Sequence, residues 1–133
     1  MAEIRSFRDL EVYRLALTEA NRVFKVTRRL PAEEKYSLTD QIRRSSRAVN
    51  AMLAEGWARR RYVAAFTNKV NEALGEAMET QAWLDHALEC DYITNELHRE
   101  LDDAWQHIGA MLNRMIQRAE QFCKPPKPIN REI

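Results

Sequence analysis

The stretch Tyr62-Val-Ala-Ala-Phe-Thr-Asn-Lys-Val-Asn-Glu-Ala-Leu-Gly-Glu-Ala-Met-Glu-Thr-Gln-Ala-Trp-Leu-Asp-His-Ala-Leu-Glu89 decides the fold. It contains no proline, and Val63, Phe66, Val70, Ala73, Leu74, Ala77, Leu84 and Leu88 recur at three- and four-residue steps, which is one apolar stripe of an α-helix. A helix this long spans about 42 Å and needs neighbours to cover its stripe. On the other side, Leu38–Arg60 reads the same way, with Leu38, Ile42, Val49, Leu53 and Trp57 facing inward. Ala48, Ala51, Ala54 and Ala58 allow a close approach, and Gly56 marks a bend or a tight contact.

Two further helices complete the pattern. Phe7–Arg29 places Leu10, Tyr13, Leu17, Ala20, Phe24 and Thr27 on one stripe and ends before Pro31. Asn95–Phe122 does so with Leu97, Leu101, Ile108, Leu112, Met115, Ala119 and Phe122, behind Thr94 as N-cap. Ser6 with Asp9, and Ser37 with Asp40, resemble capping boxes. Connections this short favour antiparallel neighbours. The expectation is all-α: an antiparallel up-and-down four-helix bundle over 1–123, followed by a Pro-rich extended or disordered tail over 124–133.

Composition narrows the functional classes. A chain of 133 residues has room for one core. No run approaches the roughly 18 apolar residues of a membrane span, and no signal-peptide stretch opens the chain. Two cysteines, Cys90 and Cys123, make no disulfide framework, so a reduced, cytoplasmic protein is expected. Phosphate loops, Cys-x-x-Cys pairs and nucleophile elbows are absent from the sequence, which points away from an enzyme. His86 and Cys90 lie four apart, as do His98 and Asp102, but such pairs are common by chance on helices; the expectation is no metal and no cofactor.

Charge carries the remaining chemistry. Net charge is only +1, yet segment 43–61 holds six arginines against Glu55, while segment 72–103 holds ten acids against Arg99. Arg43, Arg44, Arg47, Arg59, Arg60 and Arg61 are therefore the candidate nucleic-acid-binding residues, because guanidinium forks suit phosphate oxygens. Trp57 and Tyr62 stand nearby as stacking partners for bases. The alternative is that these arginines pair with the acidic third helix or with another subunit. Trp83, Leu15 and Val26 fall off their helices' stripes, which makes them candidates for an oligomer interface.

Ser6-Phe-Arg-Asp-Leu-Glu-Val-Tyr, the Asp40-Gln-Ile-Arg-Arg step and Ala54-Glu-Gly together resemble a known family. It is the four-helix-bundle proteins encoded by intervening sequences of bacterial large-subunit ribosomal RNA genes, a family that includes the accessory variability determinant of diversity-generating retroelements. The similarity spans about Ser6 to Ile116, and Gln41, Arg43, Arg44, Glu55 and Gly56 match the family's motif. Met52 departs from it, standing where the family commonly has Asn. The resemblance implies a homopentameric ring and, for the retroelement branch, RNA or DNA binding and contact with a reverse transcriptase. Partners expected on this basis are further copies of the chain, nucleic acid and a reverse transcriptase, with no membrane.

Overall fold

The computed structural model describes residues 3–123; the expected tail lies outside the described residues. Four long helices, α1 (Glu11–Thr27), α2 (Leu38–Ala58), α3 (Val63–Glu89) and α4 (Asn95–Gln117), are followed by a single turn, α5 (Ala119–Phe122). There is no strand among the described residues. Packing runs α1–α2, α2–α3, α3–α4 and α4–α1, and the diagonal pairs bring no Cα atoms within 8 Å of each other among the described residues. The result is a square, up-and-down four-helix bundle. Its interior is filled from all four helices by Val12, Val23, Ile42, Val49, Leu53, Phe66, Val70, Leu84, Leu101, Trp105, Ile108 and Leu112.

The start of α1 differs from the expectation. The Ser6–Asp9 box forms: Ser6 Oγ accepts from the Arg8 amide at 3.2 Å, and Asp9 Oδ2 accepts from the Ser6 amide at 3.0 Å. It caps only a 3-10 turn, Phe7–Asp9, after which Leu10 is extended. That break resets the helical phase, so the buried stripe of α1 is Val12, Ala16, Ala20, Val23 and Thr27, and Leu17 is 54% exposed. The Ser37–Asp40 box does not form, because Ser37 donates instead to Glu34 Oε1 at 2.6 Å.

The other ends follow side-chain chemistry. Thr94 caps α4 by accepting from the Leu97 amide at 3.1 Å. Helix α3 closes with the Tyr92 amide donating to the Ala87 carbonyl and the Asp91 amide to the Leu88 carbonyl, both at 2.9 Å. This is a Schellman closure with Asp91 (φ 61°) at the left-handed position usually held by glycine. Helices α2 and α3 approach closely at Gly56, where a Cβ would stand 3.2 Å from the Lys69 Cβ. Above that contact the fully buried Ser45 and Thr80 hydroxyls meet at 2.8 Å.

Tyr92 pins the α3–α4 turn to the α1–α2 connection, donating from its hydroxyl to Glu34 Oε2 at 2.9 Å. That hydrogen bond, more than partial desolvation, pushes the phenol from 10.0 up to about 12. A raised folded-state value means the contribution is complete below pH 10 and is lost as pH climbs toward about 12. Ultraviolet titration of the chain's four tyrosines should show one that ionises about two pH units late, and Tyr92→Phe should abolish that late step.

Candidate nucleic-acid interface

The six arginines separate into three environments. Arg43 and Arg47 leave α2 on the side of α1, and both lie over the Phe24 ring, at 4.6 and 5.4 Å from its centroid. Arg43 Nε also donates to Thr27 Oγ1 at 2.8 Å. These contacts hold the guanidinium groups by their faces and stems while the charge is uncompensated by any carboxylate within ion-pair distance among the described residues. Arg28, one turn beyond Phe24, and Arg29 add exposed positive charge at the same end of α1. Sequence reasoning passed over both; the signal was a pair of arginines closing the first helix.

Arg44 points the other way, toward α3. It donates to Gln41 Oε1 at 3.0 Å and to Glu76 Oε2 at 3.1 Å, and forms a short ion pair with Glu79. The Glu79 contact is the main cause that holds the Arg44 guanidinium above its ordinary value, and the reciprocal effect holds the Glu79 carboxyl below its own. At Arg44 the structure therefore realises the pairing alternative. Because the Glu79 carboxyl is held below its ordinary value, this contribution is complete above the usual carboxylate range and is lost as pH falls below it, through the lowered value.

Arg59, Arg60 and Arg61 are not on a continuous wheel with the others, since α2 ends at Ala58. They occupy the α2–α3 turn, about 24 Å along the bundle from Arg43 at 1.5 Å per residue. Arg60 folds back, with its guanidinium 4.2 Å above the Trp57 ring and Nη1 donating to the Trp57 carbonyl at 2.9 Å. Arg59 and Arg61 are exposed, next to the exposed ring of Tyr62. The candidate residues thus form two separate groups, Arg43 and Arg47 on the α1 side of α2 and Arg59 and Arg61 at the α2–α3 turn.

The expected interface residues are placed differently from a free apolar patch. Leu15, Val26 and Trp83 are half-buried against the core. Trp83 Nε1 donates to Glu79 Oε1 at 3.2 Å, and its indole lies 5.7 Å from the exposed His86 ring. The exposed apolar side chains of the helix bodies are Leu17 on α1 and Met78 on α3, the latter 59% exposed. His98 does not join His86 and Cys90; it meets Asp85 and Asp102. No helix is long and apolar enough to cross a membrane among the described residues.

Comparison with known proteins agrees with this architecture. A crystallised protein of unknown function from Bacteroides thetaiotaomicron, assigned to the S23 ribosomal protein family, superposes with a TM-score of 0.72 at 31% identity, covering 80% of this chain and 95% of its own. No curated protein matches the chain. The family model of the 23S rRNA-intervening sequence protein matches residues 8–114. With four helices in a square, the motif residues Gln41 to Gly56 on α2 and that match over most of its length, the chain belongs to the 23S rRNA-intervening sequence protein family.

Proposed function

We propose that the protein is a non-enzymatic scaffold that binds RNA or DNA through the α1–α2 face and works as a ring of identical subunits. The observation that carries the reading is the pair Arg43–Arg47, preset over Phe24 and free of carboxylate partners within ion-pair distance among the described residues. A guanidinium held by an aromatic face loses less side-chain freedom when it meets phosphate. The acids cluster on α3 and α4, on the opposite side of the square, so an anionic backbone approaching α1–α2 avoids them. The net charge of +1 makes a single subunit a weak binder, whereas a ring repeats the arginine pair several times. The test is the affinity for labelled RNA and DNA of the wild type and of Arg43→Glu with Arg47→Glu.

The ring has its own support. Leu17 and Met78 lie on diagonal helices, α1 and α3, so a contact joining them is head-to-tail, and such contacts close into rings when the rotation permits. Basic Arg14 and Lys25, exposed on α1, complement exposed acidic Glu89 on α3. Gly75, in the middle of α3, faces open space within the subunit. A mid-helix glycine costs about 0.5–1 kcal/mol against alanine, and a neighbouring backbone at that face would give it a use. Light scattering should return a multiple of 15.6 kDa, five-fold for the pentamer, and Met78→Glu should shift it toward 15.6 kDa. A wild type that scatters as one subunit at micromolar concentration would contradict the ring.

The fork that Glu76 and Glu79 place around Arg44 favours a second reading, in which the arginines serve structure and the module binds a protein, with a reverse transcriptase as the partner class. Salt-insensitive capture of such a partner, with no affinity for nucleic acid, would select it.

A further inference from the structure

We propose that Asp85, His98 and Asp102 form a binding site for one divalent transition-metal ion across the α3–α4 seam. One ligand atom of each lies within 4.8 Å of the other two. His98 and Asp102 are one turn apart on α4, which puts both on the face toward α3. Asp85 is supplied by α3, and its Oδ1 stands 2.8 Å from His98 Nε2. The histidine side chain is only 18% exposed, so its ring is fixed by the helices rather than free to turn away.

Two features favour a metal over a simple ion pair. First, Asp102 is half-buried beside Asp85, and no Lys or Arg lies within ion-pair distance of either among the described residues. One imidazole faces two carboxylates, and a divalent cation settles that imbalance where a single imidazolium would not. Second, Gln81 Nε2 donates to Asp102 Oδ1 at 3.1 Å, an outer contact that orients the carboxylate. One nitrogen and two oxygens suit a borderline ion such as zinc, and they leave coordination positions for water. A bound ion would staple α3 to α4 just before the Cys90–Ile93 turn. The sequence reading paired His98 with Asp102 but missed Asp85, which only the antiparallel register brings to them.

The probe is zinc, titrated calorimetrically into tag-free, chelator-stripped full-length chain. One equivalent should bind. Asp85→Asn and His98→Gln should each weaken binding by at least about tenfold, and Gln81→Ala by about tenfold, with unchanged far-ultraviolet circular dichroism. His86→Gln and Cys90→Ser should leave it intact, and a large excess of magnesium should not displace it. Absence of binding up to about millimolar zinc, or binding that survives His98→Gln and is lost with Cys90→Ser, overturns the site. Asp85 is exposed, so Asp85→Asn keeps the test decisive should His98→Gln fail to fold.

Discussion

Trp105→Ala is expected to lower the unfolding free energy by about 3–5 kcal/mol, a large share of the stability of a domain this size. Trp105 is completely buried near the middle of α4, where all four helices contribute to one core. Removing its indole leaves a cavity that four rods, braced by close contacts such as Gly56 against Lys69, cannot collapse into. Trp105→Phe separates volume from polarity. The indole Nε1 is buried without a hydrogen-bonding partner among the described residues, so the phenyl ring drops an unsatisfied donor while keeping most of the volume. That variant should stay within about 1 kcal/mol of the parent. Urea midpoints with an unchanged slope report both values. An alanine variant that loses less than about 1 kcal/mol would mean that this layer of the bundle is not packed as described.

Arg43→Glu with Arg47→Glu should abolish measurable nucleic-acid binding near physiological salt. Each lost phosphate contact reduces the slope of log affinity against log salt by about 0.7–0.9, and the reversed charges add repulsion. The fold should survive, because what is lost inside the subunit is two partly exposed cation–π contacts with Phe24, about 0.5–1 kcal/mol each, and the hydrogen bond to Thr27. Arg44→Glu is the informative contrast. It sets a third carboxylate against Glu76 and Glu79 and should reduce stability without a comparable change in the salt slope. Equal losses of binding from both variants, with equal losses of helicity, would assign the whole arginine cluster to structure.

The bundle was legible because its signals are redundant. Four proline-free runs, each repeating apolar residues at helical spacing, point to a bundle, and Thr94 and Gly56 behave as their chemistry dictates. The phase of α1 was not legible. It depends on Leu10 leaving the helix after a capped 3-10 turn, a tertiary choice that buries Leu10 and turns Leu17 outward. Trp105 was overlooked because neighbouring Asp102, Asp103 and Gln106 make that turn of α4 read as polar. The arginines were found as a group, but their fates were not. One step of 100° around α2 separates Arg43, facing Phe24 on α1, from Arg44, facing Glu76 and Glu79 on α3. Such a difference needs to know which helix lies on which side, and composition holds no such information.

The most direct test of the central claim, that the α1–α2 face meets phosphate, is the affinity of the wild-type chain for a labelled single-stranded RNA measured by anisotropy from about 50 to 200 mM salt. Binding is expected at the low end and should weaken linearly on a log–log plot, with a slope corresponding to several phosphate contacts. Absence of binding at the lowest salt, or an affinity indifferent to salt, would contradict it.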